Sequence, residues 1–128
     1  MMEIRRYIEA DQPALFQLLA GDGADWAEYS QLKKPQYMEA LRHSITYVVI
    51  DEGLRGYCRC RDDDGFGIYI YDLLVEKNYR GNQAGHALMS QIKQDFPEVA
   101  VYVMSDVDPY YEKIGYTRIG SVFEVTGA

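Results

Sequence analysis

The sequence predicts a mixed α/β domain: a mostly antiparallel sheet of six or seven strands, with one parallel strand pair and about four helices. Three observations favour this class. Two helical patterns lie in the first third of the chain, three strand-like segments with short turns follow, and a strand–loop–helix–strand unit comes next. No repeat or linker interrupts the chain, so residues 1–128 are predicted to form a single domain.

The first third predicts one strand and two helices. Residues 3–9 favour a strand, and apolar residues at helical spacing then favour a first helix that ends near Gly21. Pro35 begins a second helix that runs to about Arg42, since proline is tolerated in a first helical turn. The stretch between the two helices, residues 24–34, has no clear period.

The middle of the chain is a predicted meander of three strands. Residues 45–50, 54–61 and 68–75 are rich in β-branched and aromatic residues, and turns of Asp, Glu and Gly separate them. Gly56 lies inside the second of these strands. Because glycine weakens a strand interior and often marks a bulge, we expect a bulge there.

The last third predicts a crossover and two terminal strands. A helical pattern closes at Pro97, and residues 99–104 form a thoroughly apolar strand. A strand–helix–strand unit implies a right-handed crossover and parallel pairing of its two strands. Residues 108–115 predict a short helix, and residues 116–118 and 119–125 predict the final strand segments.

The net charge and the hydropathy of the chain argue against some classes of binding partner. The formal net charge is −7, which argues against nucleic-acid binding because phosphate contacts need clustered Lys and Arg. A negative field favours a cationic substrate, although an acidic surface also serves solubility. The apolar runs are far shorter than a membrane span, and no apolar segment follows the charges near the N-terminus. We therefore expect no membrane partner and a cytoplasmic location.

No metal site is expected. Cys58 and Cys60, the only cysteines, lie two residues apart on a predicted strand, so they face the same side in a geometry that disfavours a disulfide. No histidine or further cysteine stands near them, which argues against zinc. Three aspartates, Asp62 to Asp64, lack the downstream glutamate of a calcium loop and predict a solvated turn.

The most informative stretch of the chain is residues 71–88, which reads as a strand, a short loop and a helix with small residues in its first turn. A helix start leaves about four N–H groups without partners and carries a partial positive charge. Such an end binds phosphate when small residues let the anion approach. A tyrosine-rich segment, residues 110–116, follows about twenty residues downstream.

These motifs resemble the GNAT superfamily of acyl-CoA-dependent N-acyltransferases, and the order of elements matches over nearly the whole chain. That family's phosphate turn is Gln/Arg-x-x-Gly-x-Gly/Ala, which aligns with Arg80 to Gly85. Arg80 and Gly85 match the pattern, whereas Gln83 stands where the first glycine is expected. A left-handed Gln83 would cost roughly 1–2 kcal/mol. The cost vanishes if Gln83 already lies in the helix.

The resemblance implies a GNAT-like fold with acetyl-CoA as cosubstrate. The phosphate turn would hold the coenzyme diphosphate through backbone N–H groups; its residues are Arg80, Gly81, Asn82, Gln83, Ala84, Gly85 and His86. The preceding strand would bind the pantetheine arm as an added strand, through Leu73, Leu74 and Val75. An ordinary central strand is compatible with the same three residues.

The resemblance places Tyr111 beside the coenzyme sulfur. A phenol with an ordinary pKa near 10 stays protonated at neutral pH and can donate to a departing thiolate. By the same analogy, a backbone N–H near Leu74 or Val75 would donate to the thioester carbonyl oxygen.

A catalytic acidic residue is expected at Asp72, on the strand where the family often carries one. An ordinary aspartate is a poor base for an ammonium unless burial raises its pKa or a water relays the proton. Asp72 can equally be an electrostatic anchor for a cationic amine. Asp106 and Asp108, after the fifth strand, are alternatives.

The predicted function is transfer of an acetyl group from acetyl-CoA to a primary amine, by direct attack in a ternary complex, since no cysteine lies near the motif. The acceptor would be a small-molecule or peptide amine, received by Asp25, Trp26 and Tyr29 through charge and aromatic faces. A homodimer through the terminal strands is possible by the resemblance. The alternative function is a non-catalytic acyl-CoA sensor or interaction module on the same fold.

Overall fold

A computed structural model describes residues 1–127 and contains one five-stranded sheet. The strands follow one another in chain order across the sheet, and every neighbouring pair is antiparallel except the last, which is parallel. The strands are β1 (Glu3–Arg6), β2 (Ile45–Ile50), β3 (Leu54–Asp62), β4 (Ile68–Val75) and β5 (Val101–Val103).

Four α-helices flank the sheet. They are α1 (Gln12–Gly21), α2 (Lys34–Arg42), α3 (Ala84–Asp95) and α4 (Asp108–Lys113). The connection between α1 and α2, which has no clear period in the sequence, is a 3-10 turn at Ala24–Trp26 and a π-helical turn at Glu28–Leu32. The predicted helices and the parallel crossover through α3 are confirmed.

The predicted sixth and seventh strands do not form. Within the described residues, 116–127 contain no strand, and the apolar side chains of residues 119–125 face solvent, with Phe123 at 85% exposure. The alternating pattern of residues 119–125 is real, but a strand needs a paired neighbour. The adjacent β5 is only three residues long and offers little edge to pair with. The sheet is therefore mixed, as predicted, with five strands rather than six or seven.

The sheet buries both of its faces. The face that α3 covers, here called the α3 face, is lined by apolar residues: Val49, Cys58, Cys60, Ile68, Ile70, Leu88, Met89 and Ile92. The opposite face, here called the α1–α2 face, packs on the first two helices through Leu15, Leu19, Tyr37, Leu41, Val48, Tyr57 and Leu74. Both cysteines are buried free thiols on the α3 face, in agreement with the prediction that they point the same way.

The predicted bulge in β3 is confirmed next to Gly56. Val49 pairs with Gly56 while Ile50 pairs with Leu54, so Arg55 is the extra residue. A Cβ at Gly56 would lie 2.9 Å from the backbone oxygen of Leu74. Glycine is required there because β4 approaches this point of β3 closely.

A second bulge, which the sequence did not predict, lies in β4. Arg59 pairs with Asp72 and Cys60 pairs with Ile70, so Tyr71 is the extra residue. An extra residue inverts the alternation of the side chains that follow it. Ile70 consequently faces α3, whereas Asp72 and Leu74 face α1 and α2.

Candidate active site

The last two strands diverge at the β4 bulge. Their parallel pairing covers only three residue pairs and ends where Ile70 meets Val103. Beyond Tyr71, β4 keeps its antiparallel partner β3 on one side, and the described residues provide no strand on the other side. The second half of β4 therefore has an open edge.

Two residues direct their backbone groups to this open edge. The N–H of Glu76 donates to the Arg55 oxygen over 2.8 Å, so at Glu76 the backbone points toward β3. Because successive residues of a strand point their backbone groups to opposite sides, those of Leu73 and Val75 point away from β3. Leu74, in contrast, points its backbone groups toward β3. Of the two expected oxyanion donors, Val75 has an N–H on the open edge.

The start of α3 lies next along the chain and lacks a side-chain cap. Its first helical hydrogen bond runs from the Ala87 N–H to the Gln83 oxygen over 3.0 Å. The three preceding N–H groups, at residues 84–86, have no backbone acceptor among the described residues. Gly81 and Gln83 both have positive φ, at 95° and 60°. Such a turn directs successive N–H groups into a concave anion site.

Gln83 does not lie in the helix, which corrects one of the two expectations for it. It precedes α3 in the left-handed region, with φ 60° and ψ 26°. The departure from the family's glycine therefore costs roughly 1–2 kcal/mol. Asn82 partly braces the turn, because its Nδ2 donates to the Tyr79 oxygen over 2.9 Å.

Arg80 links the phosphate turn to the segment after α1. Its Nε donates to the Val75 oxygen over 3.0 Å, and its Nη2 lies 3.2 Å from Asp22 Oδ1. The other oxygen of Asp22 accepts a hydrogen bond from Trp26 Nε1 over 2.9 Å. The Arg80 side chain is half exposed, and exposed ion pairs of this kind are weak. Arg80 can therefore leave Asp22 for another anion at little cost.

Helix α4 packs its tyrosines over the open edge of β4. The Tyr110 hydroxyl lies 2.8 Å from the position that a Cβ at Gly85 would take, and Leu73 Cδ2 lies 3.8 Å from the same position. The absence of a side chain at Gly85 thus lets Tyr110 approach the first turn of α3.

Tyr111 is half-buried against the α3 face. Its ring centroid lies 5.0 Å from that of Tyr110 and 6.4 Å from that of Tyr116. Burial, with a smaller contribution from the negative charge of Asp106, raises the pKa of Tyr111 to about 12. The phenol is therefore a stable hydrogen-bond donor at any physiological pH. His86 packs its ring 6.1 Å from Tyr116.

Asp72 forms the centre of a buried polar cluster on the α1–α2 face. It is 3% exposed, and its Oδ2 accepts hydrogen bonds from Arg59 Nε and from the Tyr37 hydroxyl, each over 2.6 Å. The Tyr37 and Tyr57 hydroxyls lie 2.7 Å apart. Arg59 also donates to Ser44 Oγ over 3.2 Å. The carboxylate thus has a buried cation and a phenol as partners.

The electrostatics of this cluster are consistent with a charged Arg59–Asp72 pair. Burial disfavours the Arg59 cation, but the Asp72 carboxylate outweighs this and raises the pKa of Arg59. Burial, followed by the charge of Asp72, raises the pKa of Tyr37 and of Tyr29. Burial likewise raises the pKa of Tyr57. The three phenols therefore stay protonated at neutral pH, and Arg59 stays a cation.

The three residues expected to receive the acceptor differ in how closely they approach the Asp72 cluster. Tyr29 stacks on Tyr37 with ring centroids 4.3 Å apart. Trp26 is half-buried, with its ring centroid 5.8 Å from that of Tyr29. Asp25 is exposed in the 3-10 turn. The structure therefore brings Tyr29 close to the Asp72 cluster through Tyr37, and Asp25 lies at the outer end of the segment.

The sequence analysis missed Arg59 and assigned no polar role to Tyr37 or Tyr57. A charge between two cysteines in the middle of a central strand was the available signal, because such a residue needs a buried partner. The two alternative acids are less enclosed. Asp106 and Asp108 are exposed after β5, and Asp108 accepts a hydrogen bond from Ser105 Oγ over 2.6 Å.

The described residues contain neither a cluster of metal-ligating side chains nor a helix suited to cross a membrane. Residues 1–127 contain no group of three or more His, Cys, Asp or Glu side chains arranged to hold a metal ion. Within the same residues, no helix combines the length and the apolar character that a membrane crossing needs.

Comparison with known families identifies the fold. Residues 17–128 match the family model described as the acetyltransferase (GNAT) domain. The chain belongs to the GNAT acetyltransferase family. The resemblance noted in the sequence is confirmed, because the match covers most of the chain.

Curated relatives are distant and longer. The chain is 27% identical over 108 residues to an uncharacterized N-acetyltransferase of Porphyra purpurea, covering 76% of this chain and 60% of that protein. It is 29% identical over 93 residues to a histone acetyltransferase of Glycine max, covering 65% of this chain and 40% of that protein. The chain therefore spans between about 40% and 60% of the length of these relatives.

Solved structures share the whole fold. An aminoglycoside acetyltransferase from an uncultured soil metagenomic sample superposes with a TM-score of 0.76 at 20% identity, covering 100% of this chain and 99% of that one. A second acetyltransferase, solved with a bisubstrate analogue containing CoA, has a TM-score of 0.73 at 12% identity and covers 100% and 99% of the two chains. At these identities the likeness shows the GNAT fold alone.

Proposed function

We propose that this domain transfers the acetyl group of acetyl-CoA to a primary amine by direct attack in a ternary complex. One observation carries the proposal: the open edge of β4 leads directly to the uncapped start of α3. An edge that can pair with an amide-containing arm, followed by an anion site, matches the chemistry of coenzyme A. Family membership supports the same assignment.

The residues present fit the coenzyme. Backbone groups of Leu73 and Val75 would pair with the pantetheine amides, with Leu74 between them as the residue that anchors the strand in the core. The diphosphate would lie at residues 80–86, where the space around Gly81 is open. When bound, the coenzyme supplies an activated acetyl thioester. Arg80 would exchange its weak ion pair with Asp22 for the diphosphate.

Tyr111 is proposed as the hydrogen-bond donor to the departing sulfur. Its pKa of about 12 exceeds that of an ordinary thiol, near 8.5. Complete proton transfer from the phenol to the thiolate is therefore uphill. Tyr111 would stabilise the thiolate by a hydrogen bond while solvent supplies the proton.

Asp72 is proposed as the anion that positions the acceptor amine. Asp72 Oδ2 already accepts two hydrogen bonds, one of them from a buried arginine, so this oxygen is not free to take a proton from the amine. Its charge still favours an ammonium close by. The amine would lose its proton to a water molecule, so the reaction rate should rise with pH as the free amine becomes populated.

The acceptor is proposed to enter as a cation along the segment between α1 and α2. Trp26 and Tyr29 offer aromatic faces, and Asp25 adds a negative charge at the outer end. A small molecule or a peptide amine would suit this route, and the acidic chain does not favour a nucleic acid.

A homodimer and a cytoplasmic location are part of the same proposal. A relative from Arabidopsis thaliana is described as chloroplastic.

The decisive experiment mixes the protein, acetyl-CoA and a panel of amines, and follows release of free thiol. Turnover that needs the amine, and falls in the Tyr111→Phe variant, is the expected result. Calorimetric binding of acetyl-CoA without turnover on any amine would instead favour the sensor alternative. Absence of coenzyme binding would overturn both. Tyr7→Phe is the matched control, because Tyr7 is a half-buried tyrosine that packs on the α1–α2 face near α1.

The acceptor route is tested separately by steady-state kinetics of Asp25→Ala and Trp26→Ala. Each change removes a group that faces the proposed route, so the KM for the amine should rise while the KM for acetyl-CoA stays constant. Unchanged acceptor KM values in both variants would eliminate this route and leave the coenzyme site unaffected.

A further inference from the structure

The Arg59–Asp72 pair leaves two polar atoms without protein partners. Asp72 uses Oδ2 for both of its hydrogen bonds, and Arg59 uses Nε and Nη1. Neither Asp72 Oδ1 nor Arg59 Nη2 has a hydrogen-bond partner among the described residues. The only fully buried side-chain N or O atom there without a partner is Thr46 Oγ1. Asp72 is 3% exposed and Arg59 9%, so the pair is nearly but not fully enclosed.

The pair also lies next to the reacting position proposed above. Asp72 is the neighbour of Leu73, whose backbone points to the open edge of β4, and adjacent Cα atoms are about 3.8 Å apart. The guanidinium of Arg59 lies 5.4 Å from the ring centre of Tyr37 and 5.6 Å from that of Tyr71. Tyr71 is the bulge residue and is 50% exposed. The guanidinium of Arg59 is thus flanked by two aromatic rings, and one of them, Tyr71, is the half-exposed bulge residue that follows the last β4–β5 pair.

We propose that Arg59 and Asp72 together recognise a zwitterionic acceptor, and that the acceptor is an α-amino acid acetylated on its α-amine. Asp72 Oδ1 would accept from the ammonium group, and Arg59 Nη2 would donate to the carboxylate. This inference rests on the proposed function and names its substrate class. It makes Arg59 a specificity-determining residue for the acceptor.

Charge and spacing favour this class over other amines. The Nε of Arg59 is 2.6 Å from Asp72 Oδ2, so the two ligand charges must also be close together, as they are on a single carbon of an α-amino acid. A polyamine would leave Arg59 facing a like charge. A phosphorylated amine would bring an excess of negative charge toward Asp72 in a chain of net charge −7. A zwitterion is neutral and matches both members of the pair.

The test compares amino acids with their decarboxylated amines and with their carboxamides, using the wild-type chain. We expect kcat/KM to be at least about 30-fold higher for the amino acids, since losing a charge-assisted hydrogen bond to a buried group costs about 2 kcal/mol or more. Equal values for the amino acids and amines would overturn the inference. So would preference for a phosphorylated amine or for a polyamine.

Variants separate recognition from a structural role. Arg59→Gln should lower kcat/KM at least about 10-fold more for the amino acid than for the decarboxylated amine, because only the amino acid loses a carboxylate contact. Arg59→Lys should recover part of the preference because it retains the charge. A purely structural role would lower kcat/KM for both substrates alike, and that result counts against the inference. Circular dichroism and thermal unfolding establish that each variant is folded.

A last measurement keeps this inference distinct from the proposed function. If no amine supports thiol release, the proposed function fails. Binding of α-amino acids to the CoA-saturated protein, followed by NMR shifts of the Arg59 Nε–H signal, then tests recognition alone. Shifts with amino acids but not with the decarboxylated amines would support the pair as a zwitterion site, and their absence would overturn it.

Discussion

The two faces of the sheet differ in what they bury. The α3 face encloses aliphatic side chains and two thiols, whereas the α1–α2 face encloses an arginine, an aspartate and two bonded phenols. Both faces are built on the same strands, so the difference is not one of topology. It teaches that the α3 face stabilises the chain by apolar burial, while the α1–α2 face also holds a polar geometry that burial alone would not favour.

The largest expected effect comes from removing the buried cation of the α1–α2 face. Arg59→Met leaves Asp72 as a buried charge without its cation, and should lower the free energy of unfolding by about 3–5 kcal/mol. The double variant Arg59→Met/Asp72→Leu removes both charges and should recover most of that loss in stability, while removal of Asp72 abolishes the positioning of the acceptor amine. Urea unfolding of the two variants checks this. A single variant as stable as the wild type would show that the pair is not truly desolvated.

The opposite face should respond in stability alone. Leu88→Ala leaves a cavity among fully buried aliphatic side chains, and should lower the free energy of unfolding by about 3 kcal/mol. The KM for the acceptor should stay within about twofold, since α3 does not contact the polar cluster. The control is Gln94→Ala, an exposed change on the same helix. A large rise in acceptor KM for Leu88→Ala would contradict the prediction that the α3 face affects stability alone.

Tyr111→Phe tests the one polar group of the α3 face that is assigned to chemistry. Loss of the donor to the sulfur should lower kcat about 100-fold, with stability nearly unchanged. The raised pKa of Tyr111 keeps the phenol protonated below its ordinary value of 10, so no loss of wild-type activity from its ionisation should occur below that pH. The contribution of the protonated Tyr111 phenol to the free energy of unfolding is lost as the pH rises from 10 through about 12. A kcat within twofold of wild type would remove Tyr111 from the mechanism.

The smallest effect concerns the left-handed residue before α3. Gln83→Gly removes the clash of a side chain at positive φ, and should stabilise the chain by about 0.5–1 kcal/mol after the added entropy of the unfolded glycine. The adjacent Asn82→Gly is the matched control. It should destabilise, because Asn82 donates to the Tyr79 oxygen and does not have a positive φ. Thermal unfolding of both variants provides the comparison, and equal shifts would contradict it.

Much of this fold could be predicted from the sequence because local patterns and the fold agree. The apolar periods of α1, α2 and α3, the Asp- and Gly-rich turns and the crossover to β5 all appear in the structure. The terminal strands could not be predicted correctly, because residues 119–125 have strand periodicity without a partner edge. Periodicity reports which residues alternate, and pairing depends on neighbours that the sequence does not locate.

Only one part of the candidate site, the turn before α3, could be predicted from the sequence. The turn at residues 80–86 is a local motif, so the sequence could predict an anion site there from the turn together with the preceding strand and the later tyrosine segment. The Arg59–Asp72 contact joins two strands across a register shift, and no local pattern encodes it. Strict alternation would have placed Asp72 on the same side as Ile70.

The extra residue at Tyr71 also determines which kinds of genetic change β4 tolerates. Side-chain substitution at this position alters one half-exposed ring. Deletion of the codon would restore regular alternation and leave the faces unchanged, because Cys60–Ile70 and Arg59–Asp72 are already successive pairs. Asp72 would still face α1 and α2, so position 71 tolerates removal as well as substitution.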